Sequence, residues 1–245
     1  MNRLACLSIH TEKLHQDAVW QVVQQLAATC ANDGAKLTFF VHPFWPEKAR
    51  IDISERVHQL ASLGHEIGQH THFYDACTGV VPGHKTTDIS PDNALHRLEE
   101  DYTWLERVGI RPAGFVSGGW AWPELLVPWL TDHGFAYDCT ARSYQPDQAY
   151  PFDPSPTMFA GGLVEIPTTA PLRHVALRVL RKRPPGLSVG GLRYELVYCH
   201  DDDLLEWRKR LALRVAVAVF ARKGYRFVSV GELVSHLRPA LEIRP

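Results

Sequence analysis

Two pairs of side chains that could bind a metal are each spaced two residues apart. His10 and Glu12 stand in "LSIHTEK", and His70 and His72 stand in "GHEIGQHTHFYD". In an extended chain, side chains two residues apart point to the same side. Imidazole and carboxylate groups from two nearby strands can bind a divalent metal ion and leave a position open for water. The spacing thus indicates a candidate metal centre, and the alternative is that these histidines are hydrogen-bonded structural residues.

Short apolar runs alternate with longer amphipathic ones along the chain. The apolar runs predict strands at 4–9, 36–41, 65–70, 113–117, 135–140, 163–167, 193–200 and 225–230. The amphipathic runs predict helices at 14–33, 54–63, 90–109, 123–133, 171–183 and 203–223, and a short last helix after the capping box "SVGE". Residues 73–89 and 144–156 are predicted to be irregular. Strands that alternate with helices are typical of βαβ units and a parallel sheet.

The continuity of this pattern favours a single domain. The alternating units run through residues 1–245 without a linker-like change in composition. We therefore predict an α/β fold, a distorted (β/α) barrel with about seven parallel strands. No glycine-rich loop follows the first strand, which argues against a dinucleotide-binding fold. The carboxyl ends of barrel strands meet on one face, so we expect the paired ligand-type residues to gather there.

Composition argues against several classes of protein. Lys and Arg number 26 against 27 Asp and Glu, a formal net charge of −1, which is not typical of a nucleic-acid-binding protein. The five cysteines show no CxxC spacing, which argues against a disulfide framework and a structural zinc site. No segment reaches the ~18 apolar residues of a membrane span, and the N-terminus lacks a signal-peptide pattern. The expected compartment is the cytoplasm.

Several motifs, in a fixed order along nearly the whole chain, resemble those of a known family. They are "LSIHTEK", "LTFFV", "LASLGHEIGQHTH", "GFAYD", "LVEIP", "YCHDDD" and "KGYRFVSVGEL", of which the third is the most specific. The chain resembles the polysaccharide deacetylases, the NodB-homology or family 4 carbohydrate esterases. The resemblance implies metal-assisted hydrolysis of an N-acetyl amide on a sugar, with a carboxylate as base and a histidine as acid. It also implies a divalent metal cofactor, zinc first, with cobalt, nickel or manganese as alternatives.

The resemblance carries over to individual residues only in part. His70 matches the first metal-binding histidine of the family, and His200 matches its general acid. The second metal-binding histidine would fall at Tyr74, and His72 can replace it from two residues earlier. The arginine of the third motif is missing, because position 116 is Val116.

The first motif also departs from the family, because it normally begins with Asp where this chain has His10. Two arrangements of the site follow. In one, Glu12, His70 and His72 bind the metal and His10 is the base or a ligand of the water. In the other, His10, His70 and His72 bind the metal and Glu12 is the base. His200 is the general acid, and the sequence does not separate the two arrangements.

Three further residues are candidate substrate contacts. Trp120 follows the fourth predicted strand, and its aromatic face can stack on a sugar ring. Tyr74 and Asp201 follow the third and seventh predicted strands, at the same face of the barrel.

The expected function is removal of an N-acetyl group from a sugar during O-antigen or capsule assembly. The expected substrate is an N-acetylated sugar or a nucleotide- or lipid-linked precursor, and no nucleic acid is expected as a partner. The first alternative is a hydrolase of a non-sugar amide C–N bond on the same barrel. The second alternative is a homologue that binds glycan without turnover.

Overall fold

The computed structural model describes residues 3–43, 52–73, 90–144, 155–172, 174–175 and 186–244. The strands of these residues are β1 (Arg3–Thr11), β2 (Thr38–Val41), β3 (Glu66–Thr71), β4 (Gly114–Ser117), β5 (Tyr137–Asp138), β6 (Thr157–Phe159), β7 (Val164–Glu165), β8 (Ala170–Pro171), β9 (Leu187–Val189), β10 (Leu192–His200), β11 (Arg226–Phe227) and β12 (Ile243–Arg244). All of them belong to one curled sheet.

The order of strands across this sheet is β12-β6-β7-β5-β4-β3-β2-β1-β10-β8, with β11 paired to β1 and β9 paired to β10. Neighbouring strands are parallel except in the β6–β7 and β9–β10 pairs. The predicted α/β fold, a distorted and mostly parallel barrel, is confirmed. In the described residues the sheet has two ends, at β12 and β8, so it forms a half-barrel there.

The helices of the described residues are α1 (Asp17–Asn32), α2 (Ser54–Ser62), α3 (Pro91–Arg107), α4 (Leu126–Asp132), α5 (Trp207–Arg222) and α6 (Val230–Leu237). Ser90 and Ser229 act as N-caps, the second as the capping box predicted, because their hydroxyl oxygens accept hydrogen bonds from backbone N–H groups in the first turns of α3 and α6. Capping satisfies N–H groups that have no partner inside the helix. None of the described helices has the length and apolar composition needed to span a membrane.

Strand β1 lies in the middle of the sheet, and both of its faces are buried. Leu7 and Ile9 face outward and pack in the same cluster as Val23 of α1. Leu4 and Cys6 face the inside of the curl, where they pack with side chains of β4, β5 and β10. The alternation therefore assigns the even-numbered residues of β1 to the inner face.

Several boundaries differ from the predictions. The helix predicted at 203–223 begins only at Trp207, because Asp202–Leu205 forms a 3-10 turn. The strands predicted at 135–140 and 163–167 shorten to two residues each. Strands β6, β8, β9 and β12 were not predicted, because two or three residues show too little alternation. The following predictions fall largely outside the described residues: the irregular segments 73–89 and 144–156 and the helix 171–183.

Glu195 of β10 is a fully buried acid. Its Oε1 accepts a hydrogen bond from the Tyr225 hydroxyl at 3.2 Å. Burial raises the pKa of Glu195 from 4.5 to about 7, because the charged form loses its hydration. The folded protein therefore keeps a proton that the unfolded chain releases above pH ~4.5, so this contribution to stability is lost as the pH rises towards 7.

We predict that Glu195→Gln, which imitates the protonated acid, removes this pH dependence. Relative to wild type, the free energy of unfolding of the variant should rise by up to about 3 kcal/mol between pH ~4.5 and ~7. Urea unfolding at both ends of this range measures the difference. Glu55→Gln, at an exposed position on α2, controls for the loss of one charge. A difference between Glu195→Gln and wild type that does not grow with pH would contradict the prediction.

Candidate metal centre

Three ligand-type atoms converge at one edge of the sheet. Oε1 of Glu12 lies 3.0 Å from Nε2 of His72 and 3.3 Å from Nε2 of His70, and the two nitrogens are 3.1 Å apart. His70 is buried, and the side chains of Glu12 and His72 are 19% and 15% exposed. Among the described residues, these three form the group of His, Cys, Asp and Glu side chains that is close enough to hold a metal ion.

The strand order explains how these residues meet. Glu12 follows β1, His70 lies in β3, and β2 lies between the two strands. Neighbouring strands are ~4.8 Å apart, so β1 and β3 would be separated by about 10 Å in a flat sheet. Side chains on the inner face of the curl can bridge that separation across the end of β2. As predicted, His10 and Glu12 point to the same side of the sheet, and so do His70 and His72.

A backbone carbonyl fixes the orientation of His70. Its Nδ1 lies 2.9 Å from the carbonyl oxygen of Val116 in β4. Because a carbonyl can only accept, Nδ1 carries the proton and Nε2 turns its lone pair towards Glu12 and His72. A hydrogen-bond acceptor on the far ring nitrogen is the usual support of a metal-binding histidine.

The ring of His72 occupies space that Gly118 leaves free. A Cβ atom at position 118 would lie 2.5 Å from Cδ2 and 2.6 Å from Nδ1 of His72, closer than real contacts allow. Gly118 opens the short 3-10 turn that follows β4. Any larger residue at this position must displace the ring that brings Nε2 of His72 close to His70.

The spacing of the three atoms fits the ligands of a small divalent cation. In a tetrahedral zinc site with bonds of ~2.0–2.1 Å, ligand atoms are about 3.3 Å apart. The three separations between Glu12, His70 and His72 are 3.0, 3.1 and 3.3 Å. Two imidazoles and one carboxylate are also the protein ligands of some catalytic zinc sites, in which a further coordination position stays open for water or substrate. The residues present therefore suit such an ion.

The charges of this group also suit a cation. Burial would raise the pKa of Glu12, but hydrogen bonds and charge interactions with His70 and His72 hold it far below its ordinary range. Burial lowers the pKa of both histidines, and the Glu12 carboxylate offsets this only in part. Metal binding requires an ionised carboxylate and neutral imidazoles, and the directions of these pKa shifts favour both.

His10 and His200 stand beside this group on neighbouring strands, paired in register between β1 and β10. Nε2 of His200 lies 3.5 Å from Oε1 of Glu12, and the His200 side chain is 37% exposed. The centre of the buried His10 ring lies 4.8 Å from that of His70 and 5.5 Å from that of His200. Within the described residues, Nε2 of His10 is buried without a hydrogen-bond partner.

The environment of His10 keeps its imidazole neutral. Burial lowers the pKa of His10 well below its ordinary value, and the neighbouring rings of His70 and His200 lower it further. A buried nitrogen without a partner costs free energy, so a molecule in the site is the expected partner of Nε2.

An aromatic surface borders His10. The Trp120 ring centre lies 5.8 Å from that of His10 and 5.0 Å from that of Tyr198, and the guanidinium of Arg142 lies 4.9 Å from the Trp120 ring centre. Trp120 has a φ of 62°, a left-handed conformation that is rare for residues with a side chain and often occurs at functional sites. The structure thus brings Trp120 to the site, and its contact with a substrate stays a prediction.

Asp201, another predicted substrate contact, lies in a buried position, and its contact with a substrate stays a prediction. The residue is fully buried, and its carboxylate oxygens accept hydrogen bonds from the backbone N–H groups of Lys13 at 2.8 Å and Asp202 at 3.0 Å. Its own N–H donates to the His10 carbonyl at 3.0 Å. Asp201 therefore holds the loop after β1 against the loop after β10. Tyr74, the other predicted contact, lies outside the described residues.

Sequence reasoning missed a polar layer beneath the two metal-ligand candidates of β3. Nδ1 of His42, at the end of β2, lies 3.2 Å from the His70 carbonyl oxygen and 3.6 Å from Oδ2 of Asp101. The same Asp101 oxygen accepts a hydrogen bond from the Thr71 hydroxyl at 2.7 Å. The signal was an acid at a core position of the amphipathic helix α3, because a buried acid needs partners.

The fold is shared with solved structures of low sequence identity. A polysaccharide deacetylase structure from Mycobacterium smegmatis matches with a TM-score of 0.69 and 18% identity, over 100% of this chain and 93% of that one. Puue allantoinase matches with 0.63 and 15%, over 96% and 89%. A mutant of a family 4 carbohydrate esterase pseudoenzyme, with restored enzymatic activity, matches with 0.60 and 14%, over 95% and 68%.

These comparisons confirm, at the level of the fold, the predicted resemblance to polysaccharide deacetylases. No protein-family model matches the sequence, and no curated protein matches it. The chain therefore has the NodB-type barrel with a strongly divergent sequence.

We predict that Gly118→Ala lowers the affinity for zinc about 10–100-fold, because the new Cβ displaces the ring of His72. Titration of the metal-free protein with zinc measures the change. Gly231→Ala is the matched control, because its Cβ would also crowd a side chain, that of Glu66, but at the opposite end of β3 from His70. Equal zinc affinities in the two variants would contradict the positioning of His72 by Gly118.

Proposed function

We propose that this chain is a metal-dependent hydrolase that removes an N-acetyl group from a sugar. The observation that carries the proposal is the convergence of Glu12, His70 and His72 at the carboxyl ends of parallel strands. The order of the sequence motifs and the fold shared with a polysaccharide deacetylase structure support it. Zinc is the proposed ion because the donor set and its spacing suit it, and cobalt, nickel or manganese are alternatives.

Each residue has a separate role in the proposed reaction. Glu12, His70 and His72 hold the cation, which when bound polarises the acetyl carbonyl and lowers the pKa of water. His10 accepts a proton from the attacking water through its buried Nε2. As the C–N bond breaks, His200 donates a proton to the departing amine nitrogen. Trp120 offers an aromatic face to the sugar ring.

The geometry supports the arrangement in which Glu12 is a ligand and His10 is the base. Oε1 of Glu12 lies within 3.3 Å of both Nε2 atoms. His10 is not part of this ligand group, and its buried Nε2 has no hydrogen-bond partner within the described residues, so it is available to accept a proton.

Two other functions have support from particular observations. Puue allantoinase has a related fold, which favours hydrolysis of a non-sugar amide C–N bond as the second candidate. The third candidate is glycan binding without turnover, which His10 favours because the family has a carboxylate there. The fold of a pseudoenzyme mutant is consistent with this third candidate.

We predict that Glu12→Gln and His10→Gln separate the two arrangements. Glu12→Gln removes a charged ligand, so the protein should lose its zinc and its activity together. His10→Gln removes only the base, so zinc content should stay near wild type while kcat falls about 10²–10⁴-fold. Metal analysis and an assay of acetate release measure the two effects. His58→Gln, at an exposed position on α2, is the matched control and should change neither.

Loss of zinc in His10→Gln with retention in Glu12→Gln would select the opposite arrangement. Wild-type protein that binds zinc but releases no acetate from any N-acetylated sugar would contradict the enzyme proposal.

We further predict that the sugar, rather than a small amide, is the substrate. Acetate release from N-acetylated sugars, including nucleotide-linked ones, should exceed hydrolysis of allantoin, and Trp120→Ala should raise KM for the sugar through the lost stacking. Faster hydrolysis of the small amide would favour the second candidate. A role in O-antigen or capsule assembly and a cytoplasmic location stay predictions from the sequence.

A further inference from the structure

The outer face of α5 carries an apolar stripe that the core does not use. Trp207, Leu211 and Val215 follow one another at intervals of four residues and are 61%, 51% and 36% exposed. Leu205, in the preceding turn, is 43% exposed. A helix that packs on a sheet normally has polar residues on its outer face. The stripe is therefore not explained by folding.

The opposite side of the same helix already supplies the core contact. Leu213, Ala216 and Phe220 are buried against the sheet with 5%, 3% and 2% exposure. Helix α5 is thus apolar on two opposite faces. One face packs against the sheet, and the other is exposed to solvent.

The charges beside the stripe are all positive. Arg208, Arg214 and Arg222 are exposed, and α5 contains no acidic residue. The Arg208 guanidinium lies 5.6 Å from the centre of the Trp207 ring. Glu206, which precedes the helix, lies 2.7 Å from the Lys209 ammonium and shares it with Asp203, so the excess of positive charge lies along the helix and not at its first turn.

We propose that the outer face of α5 docks on an anionic lipid surface. Trp and Leu side chains bury in the boundary between headgroups and acyl chains, and arginines beside them bind anionic headgroups. A second copy of the chain is a poorer occupant, because a two-fold contact through the same face would place arginines opposite arginines. The helix would lie parallel to the membrane plane, as amphipathic surface helices do.

In this orientation the carboxyl-end face of the barrel, which carries the candidate metal centre, would stand at the N-terminal end of the docked helix. Helix α5 begins seven residues after His200, at the face of the barrel that carries the site. A lipid-linked sugar would then be presented at the site mouth. That step rests on the proposed function, whereas docking itself does not depend on activity.

The test is co-sedimentation of the full chain with vesicles of phosphatidylcholine, with and without phosphatidylglycerol. The wild-type chain should bind the anionic vesicles and bind phosphatidylcholine alone much more weakly. The double variant Trp207→Ser/Leu211→Ser should weaken binding about tenfold or more, and Arg214→Glu should weaken it in low salt. Leu95→Ser, at a 42% exposed leucine of α3, is the matched control and should bind as wild type does.

Three results would overturn the proposal: no binding to anionic vesicles, equal binding by the double variant, or equal binding to both kinds of vesicle. Sedimentation equilibrium without lipid tests whether a second copy of the chain binds this face instead. A wild-type dimer that the Leu211→Ser substitution dissociates would assign the face to a second copy. The substituted side chains are exposed, so thermal unfolding of the variants should match wild type and exclude misfolding as the cause. Acetate release from a water-soluble sugar should also be unchanged, which separates this test from that of the proposed function.

Discussion

The candidate site depends on one constraint: a carboxylate and two imidazoles share a space that fits one small cation. The carboxylate follows β1 and the imidazoles belong to the end of β3, and these two strands are not direct neighbours in the sheet. Oε1 of Glu12 and the Nε2 atoms of His70 and His72 surround a common point and lie 3.0 to 3.3 Å from one another. A cation at that point attracts all three groups, and in its absence the groups repel or must share protons. The curl of the sheet is what makes this approach geometrically feasible across the end of β2.

Several contacts around the three residues restrict their positions. The Val116 carbonyl orients His70, the space at Gly118 admits the ring of His72, and the buried Asp201 carboxylate holds the loop that follows Glu12. These supports come from different strands and loops, so the site is assembled by the fold as a whole. Such outer partners fix ligand orientation and thereby increase metal affinity.

The sequence predicted the parts of the molecule that have a strong local signal. The long amphipathic helices, the capping box that opens α6, and the same-side placement of His10 with Glu12 and of His70 with His72 were predicted correctly in outline. Contacts that depend on tertiary packing could not be predicted. Asp201 follows a predicted strand end, and the sequence did not indicate that the fold buries it against the Lys13 backbone. The layer of His42 and Asp101 joins segments about sixty residues apart, so the acid at a core position of α3 indicated a buried partner without identifying it.

The most direct test of the central claim is anomalous diffraction at the zinc absorption edge from crystals of the zinc-loaded protein. The account predicts one peak that lies ~2.0–2.2 Å from a Glu12 carboxylate oxygen and from Nε2 of both His70 and His72. A peak bound by His10 in place of Glu12, or no peak between these residues, would contradict it.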